Sequence, residues 1–236
     1  MCLAGDLAGK IGKWRIFMKE KKAYSVIAFD LDGTLTNPEH GLVGTFEYAL
    51  GKMGLDYGTR ESLKRFIGPP LFDEWQKEFG ISPEESTRAL GYFKEYYEVD
   101  GWWDNEVYPG VPEMLEALFA AGKRIILASS KPERFARKIL GNFGLAKYFE
   151  FIGGAVDDKI RDKKHEVLAY SLENIGSPPL SEVILIGDRR FDAEGAKICG
   201  VDSAAVLYGH GSEQELRSSG FNYILRDTRE VLELLL

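Results

Sequence analysis

Residues 28–36 read AFDLDGTLT, an apolar run that stops at two aspartates separated by one leucine. The preceding residues 24–29 (YSVIAF) are almost continuously apolar, which is typical of a parallel strand buried on both faces. Ligands bind at the carboxyl ends of the strands in an open parallel sheet, so this strand would present Asp30 and Asp32 at the active edge. Two carboxylates this close repel each other, and a divalent cation usually keeps both ionised. The alternative is a turn in which aspartate and glycine serve only the backbone conformation.

The composition is that of an ordinary globular chain: 44% of its 236 residues are hydrophobic and 28% are charged. A formal net charge of -7 argues against a nucleic-acid-binding surface, which needs clustered lysine and arginine. No apolar stretch approaches the roughly 18 residues that span a bilayer, so no membrane association is predicted. Cys2 and Cys199 lie far apart in the sequence and support neither a disulfide framework nor a CxxC metal site. The cytoplasm is therefore the expected location.

The rest of the chain alternates apolar strands with helices, except in one block. Residues 1–23 form a leader without the apolar core of a signal peptide. Residues 37–104 carry helical periodicity and no strand signal, so they are interpreted as a helical insert. Residues 24–36 and 105–236 alternate strands and helices, which predicts an α/β fold with a doubly wound parallel sheet and a Rossmann-like core.

Three strongly apolar strands end at polar side chains. The first ends at Asp30, residues 124–128 (RIILA) run into Ser129, and residues 183–186 (VILI) end just before Asp188. Parallel strands bring these three ends to one edge of the sheet. Ser129 would supply a hydrogen-bond donor there; the alternative is that its hydroxyl satisfies backbone groups in a loop.

A second pair of acids, Asp188 and Asp192, spans a strand-to-helix turn. Their spacing of four allows one carboxylate to bind a metal while the other orients its water. For Asp192 the alternative is support of a helix N-terminus, where negative charge is stabilising. Both interpretations of Asp192 stay open at this point.

Taken in order, these motifs resemble those of the haloacid dehalogenase superfamily of phosphohydrolases. That superfamily carries DxDGT at the end of its central strand, a small hydroxyl residue after its second core strand, a lysine opening a later helix, and GDxxxD. Here the matching positions are Asp30 to Thr34, Ser129, Lys164 and residues 187–192. The resemblance extends over residues 24–235 and is weakest in the helical insert.

Two adjacent lysines compete for the basic position of the motif. Lys164 is followed at four and eight residues by leucines, which places it on the buried face of its helix, whereas Lys163 leads onto a more mixed face. We therefore select Lys164 as the cation that neutralises the phosphoryl group and the nucleophile. Lys131 is also able to approach the same anion, but a surface position is equally compatible with the sequence.

The resemblance implies specific roles for these residues. Asp30 would attack phosphorus and form an aspartyl phosphate, and Asp32 would protonate the leaving oxygen and then deprotonate the hydrolytic water. Ser129 and Lys164 complete the predicted catalytic set. The predicted metal is Mg²⁺, held by Asp30, Asp188 and the backbone carbonyl of Asp32, with Asp192 as a further acid of the site. The predicted substrate-binding residues are Gly33, Thr34 and Ser130.

The insert occupies the position of the helical cap domain in the phosphoglycolate phosphatase and phosphomutase branch, where the cap closes over the substrate. We accordingly predict a Mg²⁺-dependent hydrolase for a small-molecule phosphate ester of the phosphoglycolate or nucleoside monophosphate type, acting as a monomer or homodimer. A sugar-phosphate mutase is the first alternative, but its histidine, ten residues after the second aspartate, falls on Leu42. A non-catalytic phosphate-binding protein is the second alternative.

Overall fold

The strand that ends at the paired aspartates lies in the middle of a parallel sheet. The computed structural model describes residues 22–68, 71–156 and 161–236, so nearly all of the predicted leader lies outside the described residues. The sheet has six strands, and neighbouring strands are parallel throughout. In spatial order they are β5 (Phe151–Ala155), β4 (Arg124–Pro132), β1 (Val26–Phe29), β6 (Val183–Gly187), β7 (Asp202–Val206) and β8 (Tyr223–Leu225).

The order of the strands reverses at β1, which is the point where an open parallel sheet binds its ligands. Every residue of β1 is buried, because the strand is covered on both faces. Ile27 and Phe29 contribute to one apolar cluster, and Val26 and Ala28 contribute to the other. The predicted α/β fold with a doubly wound parallel sheet is confirmed.

Helices cover both faces of the sheet. The first face carries α4 (Val111–Ala120), α5 (Glu133–Asn142) and α9 (Thr228–Leu235), whose buried side chains join the larger cluster. The second carries α6 (Lys164–Asn174) and α7 (Arg190–Cys199), which pack on the smaller cluster. A short helix, α8 (Glu213–Ser218), precedes the last strand. No helix of the described residues is long and apolar enough to cross a membrane.

A block of helices is inserted between β1 and α4. It contains α1 (Glu39–Lys52), a 3₁₀ helix (Arg60–Phe66), α2 (Leu71–Phe79), α3 (Pro83–Tyr96) and one turn of π-helix (Tyr97–Gly101). Phe46, Phe66 and Trp75 centre an apolar cluster within this block. Ser82 is the N-cap of α3, and its side chain forms a capping box with Glu85. The boundaries drawn at residues 36/37 and 104/105 stay a prediction.

Two strand features differ from the sequence interpretation. A two-stranded antiparallel ribbon pairs β2 (Thr36–Asn37) with β3 (Glu106–Val107) at the two ends of the insert, and the sequence did not predict it. The sequence predicts a strand over residues 148–152 that is closed by Gly153 and Gly154, whereas the structure has this strand at Phe151–Ala155. Gly153 and Gly154 therefore lie inside the strand. They serve close packing there, because a Cβ on Gly153 would overlap helix α6 and a Cβ on Gly154 would overlap helix α5 and strand β4.

Candidate active site

The carboxyl ends of β1, β4 and β6 meet at one edge of the sheet, facing the inserted helices. Asp30 follows β1, Ser129 lies near the end of β4, and Asp188 follows β6. A cavity of about 810 Å³ lies between this edge and the insert. All three residues line the cavity, so the predicted convergence of strand ends is present in the structure.

Three buried acids form a cluster in this cavity. Asp30, Asp188 and Asp192 each offer one carboxylate oxygen, and these oxygens lie within 4.8 Å of one another. Within the described chain, Oδ1 of Asp188 is buried and accepts no hydrogen bond. Burial raises the pKa of Asp188 well above its usual value, and the charges of Asp192 and Asp30 raise it further. A hard divalent cation is bound by such a set of carboxylate oxygens, so these residues fit the predicted metal.

Asp192 has two functions in this arrangement. Its Oδ2 accepts the backbone N–H groups of Asp188 (3.2 Å) and Arg189 (3.0 Å) at the start of α7. Its Oδ1 lies 2.9 Å from Nζ of Lys164, inside the cluster. Burial raises the pKa of Asp192, while the Lys164 ammonium opposes that shift. The hydrogen bonds of Oδ2 fit the helix N-terminus interpretation, and the role predicted for Asp192 at a metal stays a prediction.

Lys164 is the cation that the structure places among the acids. Its Nζ lies 2.8 Å from Oδ1 of Asp30 and donates to the carbonyl oxygen of Ala128 at 3.0 Å. Burial alone would lower the pKa of Lys164, but Asp192 and Asp30 outweigh it and raise the pKa above its ordinary value. Gly195 of α7 lies against the side chain of Lys164, where a Cβ would overlap its methylene groups. The ammonium is therefore charged and held in place by packing.

Asp32 lies apart from the three acids. Its Oδ2 accepts a hydrogen bond from Nζ of Lys131 at 2.5 Å, and Lys131 is buried. The same Nζ lies 5.1 Å from the ring centroid of Tyr97, at the end of the insert. The sequence left Lys131 between a site residue and a surface residue, and its position two residues after Ser129 was the only signal. The backbone-carbonyl role predicted for Asp32 at the metal stays a prediction.

Of the predicted serine, glycine and threonine residues of the site, only the two serines line the cavity within the described residues. Ser129 is buried and its Oγ accepts the N–H of Lys131 at 3.3 Å, while Ser130 is exposed at the cavity wall. Gly33 and Thr34 are not among the described residues that line the cavity. Gly33 has a φ of 83° and lies directly against the Asp188 carboxylate, which a Cβ would overlap. Their assignment to substrate binding stays a prediction.

His210 lines the cavity, although its place between Gly209 and Gly211, on a loop after a predicted strand, favours a flexible surface loop over an approach to the active edge. Its backbone N–H donates to Oδ2 of Asp188 at 2.7 Å, and its half-buried imidazole lines the cavity. Burial lowers the pKa of this imidazole. Gly209 and Gly211 allow the loop to pass this close, because a Cβ on either would overlap Asp188. The glycine-histidine-glycine sequence after a strand is the signal from which the contact was predictable.

Comparison with known proteins places this geometry in a family. The family model described as haloacid dehalogenase-like hydrolase matches residues 27–206, which include every acid of the cluster. The chain belongs to the haloacid dehalogenase-like hydrolases. The resemblance predicted from the motifs is thereby confirmed.

Several proteins similar to this chain are named for the hydrolysis of phosphate esters. A 5'-nucleotidase from Pseudomonas aeruginosa is 37% identical over 213 residues, covering 89% of this chain and 96% of the relative. A phosphoglycolate phosphatase from Vibrio parahaemolyticus is 30% identical, covering 89% and 95%. A solved structure from Clostridium difficile, described as a candidate phosphatase, has a TM-score of 0.87 and 38% identity, covering 92% and 100%. The predicted class, a hydrolase of the phosphatase type, is confirmed.

Proposed function

We propose that this protein is a Mg²⁺-dependent phosphomonoester hydrolase that acts on a small phosphorylated metabolite through an aspartyl-phosphate intermediate. The observation that carries the proposal is the placement of Asp30, whose carboxylate joins the buried acid cluster and pairs with Lys164. The bound metal would supply positive charge for the phosphate and for the nucleophile, and Asp30, Asp188 and Asp192 would hold it.

Asp30 is the proposed nucleophile because its carboxylate lies at the end of the central strand, next to a fixed cation. Lys164 holds Oδ1 of Asp30, orients the carboxylate and offsets its charge as the anionic phosphate approaches. Attack on phosphorus forms the bond from Asp30 and breaks the bond to the leaving oxygen. The buried position of both side chains excludes water that would compete with the nucleophile.

Asp32 is the proposed general acid and base. Lys131 fixes its Oδ2, whereas Oδ1 has no hydrogen-bond partner in the part of the chain that the structure describes. Oδ1 is therefore the atom that would carry the proton to the leaving oxygen and later accept one from the hydrolytic water. Ser129, buried at the end of β4, would donate its hydroxyl to a phosphoryl oxygen.

The organic part of the substrate would occupy the wall formed by the insert. Leu90, Phe93 and Tyr97 line the cavity on the side of the insert. The rings of Phe93 and Tyr97 are stacked, with their centroids 5.4 Å apart. A volume of about 810 Å³ lies within the range of roughly 300–1,000 Å³ that encloses a drug-sized ligand. Size and aromatic character favour a nucleoside monophosphate over phosphoglycolate, and relatives named for both substrates support this class.

The mutase alternative receives no support from the residues around the cavity. Leu42 stands where the mutase histidine is expected, and it presents an apolar side chain to the cavity. The nearby His40 pairs with Asp104 on an exposed surface of the insert.

We further propose a cytoplasmic location, a monomeric or homodimeric state, and residues 37–104 as a cap domain over the site.

The experiment that tests this function measures phosphate release from nucleoside monophosphates, phosphoglycolate, sugar phosphates and pyrophosphate with Mg²⁺. We expect turnover that requires Mg²⁺, is highest with a nucleoside monophosphate, and falls by at least about 10³-fold in Asp30→Asn. Asp227→Asn is the matched control, because asparagine also caps a helix and Asp227 caps α9 outside the cavity. Absence of turnover on the whole panel, or full activity of Asp30→Asn, would contradict the proposal.

A further inference from the structure

The side chain of Arg189 joins the two walls of the cavity. Arg189 follows Asp188 in the turn after β6, and its Nε donates to Oε1 of Glu215 at 3.0 Å. On the opposite side its Nη1 reaches the carbonyl oxygen of Ile67, in the insert, at 3.4 Å. Arg189 and Ile67 both line the cavity. One guanidinium therefore contacts the sheet domain and the insert at once.

The backbone at Gly68 gives a second, independent indication of this contact. Gly68 has a φ of 103°, in the left-handed region that favours glycine, and it lines the cavity next to Ile67. A Cβ at this position would overlap the guanidinium of Arg189. The loop therefore lies directly on the arginine, at a distance that only glycine allows.

The arginine is fixed firmly on the sheet side. Glu215 accepts both the guanidinium of Arg189 and the backbone N–H of Arg190, each at 3.0 Å. Burial would raise the pKa of Glu215, but these two donors outweigh it and the pKa is lowered. The backbone N–H of Arg189 donates to Asp192 in the acid cluster at 3.0 Å. The side chain thus extends from a rigid turn toward the insert.

We propose that Arg189 is a positioning residue that holds the loop at residues 67–68 over the cavity and thereby sets the affinity for substrates whose organic part reaches the insert. Its effect on substrate rests on the proposed function, whereas the contact with the loop does not. If the loop is held only part of the time, the apparent affinity falls in proportion to the held fraction. The turnover number at saturation is preserved, because a bound substrate itself favours the closed loop.

The test compares Arg189→Gln with Arg190→Gln, a matched control that removes the same charge from an exposed neighbour outside the cavity. We expect Arg189→Gln to raise the KM for a nucleoside monophosphate by about 10-fold, with kcat within about twofold of the wild type. For acetyl phosphate, whose small organic part does not reach the insert, the KM should not change. Arg190→Gln should behave as the wild type. Equal effects of the two variants, or a loss confined to kcat, would overturn the proposal.

A second measurement is independent of catalysis. Hydrogen-deuterium exchange of the amides at residues 60–68 should be faster in Arg189→Gln than in Arg190→Gln, while the amides of β1 stay protected in both. Glu215→Gln, which removes the anchoring charge and leaves Arg189 in place, should change exchange in the same direction. If the wild type releases no phosphate, the proposed function is wrong, but hydrogen-deuterium exchange still tests the contact between Arg189 and residues 67–68. Identical exchange at residues 60–68 in all variants would refute the contact.

Discussion

A single ammonium group, that of Lys164, stabilises the buried acids at the end of the central strand. It lies 2.8 Å from Asp30 and 2.9 Å from Asp192, and it is almost completely shielded from solvent. Removing one partner of a buried charge pair leaves the other charge uncompensated. This destabilises a folded protein more than replacing both partners by apolar residues. Lys164 therefore affects the folding of the chain as well as its proposed chemistry.

Replacement of Lys164 by methionine should destabilise the metal-free protein by about 3–5 kcal/mol at pH 8. The pKa of Asp192 is already raised in the folded state, so folding takes up a proton. The stability therefore falls as the pH rises from the pKa of Asp192 in the unfolded chain to its pKa in the folded protein. Without Lys164 the pKa rises further, so the deficit should be larger at pH 8 than at pH 5. Urea denaturation at both pH values measures the deficit. Lys163→Met, the exposed neighbour, is the control, and an equal deficit there would contradict the argument.

For single residues, the sequence predicts the position of side chains that follow a helical or strand pattern, and it leaves open the position of those that depend on the path of a loop. Helical phase predicts Lys164 on the buried face, and the structure has Lys164 buried and Lys163 exposed. The pairing of Lys131 with Asp32 depends on a bend in β4 after Ser129, where the register with β5 shifts. The approach of His210 to Asp188 depends on a glycine loop, which has no periodicity.

Among the elements, strand β5 shows how close packing determines a glycine. A Cβ on Gly153 would overlap the hydroxyl of Ser171 in α6, and it would lie 3.1 Å from the carbonyl oxygen of Leu127 in β4. Helix α6 therefore packs on the sheet at this point more closely than any side chain allows. Because α6 begins with Lys164, this packing also bears on the site.

Gly153→Ala should lower the free energy of unfolding by about 1–3 kcal/mol, because the added methyl group forces helix α6 away from the sheet. Gly91→Ala is the matched control: Gly91 lies in helix α3 with no atom within 4 Å of its added Cβ. There the same change should raise stability by about 0.5–1 kcal/mol, because alanine favours the helix. Guanidinium denaturation compares the two variants, and a Gly153→Ala protein as stable as the wild type would exclude this role of the glycine.

Elements with a strong pattern were predicted, and the two strands of only two residues were not. The strands β1, β4 and β6 are continuous apolar runs, and helix α3 carries both a cap residue and a proline at its start. By contrast, β2 and β3 have two residues each, too few for any periodicity, and they are defined only by their pairing across the insert. The position of β5 was wrong by three residues because its glycines are packing residues.

For the whole molecule, the stability of the chain should be linked to the cation that the acid cluster fits. The carboxylates must be deprotonated to bind a metal, and burial raises the pKa values of Asp188 and Asp192, so binding competes with protons. The folded state gains free energy from any ligand that the unfolded chain does not bind.

Addition of Mg²⁺ at about 100 times its dissociation constant should therefore stabilise the protein by about 2.7 kcal/mol at pH 8. The gain should be smaller at pH 5, because protons compete more strongly with the cation for carboxylates whose pKa values are raised. Differential scanning calorimetry with Mg²⁺ or with a chelator measures the shift, and Asp188→Asn should abolish it. A shift of equal size in Asp188→Asn would show that the cation binds elsewhere.

The central position of β1 also affects the stage of protein synthesis at which the acids of the cavity come together. Val26 pairs with Arg124 on one side and with Val183 on the other, so the strand that carries Asp30 acquires its neighbours from distant parts of the chain. Such long-range pairing forms slowly compared with local helices. We therefore expect that a ribosome-bound chain cannot bring Asp30 and Asp188 together until residues beyond Gly187 have left the exit tunnel.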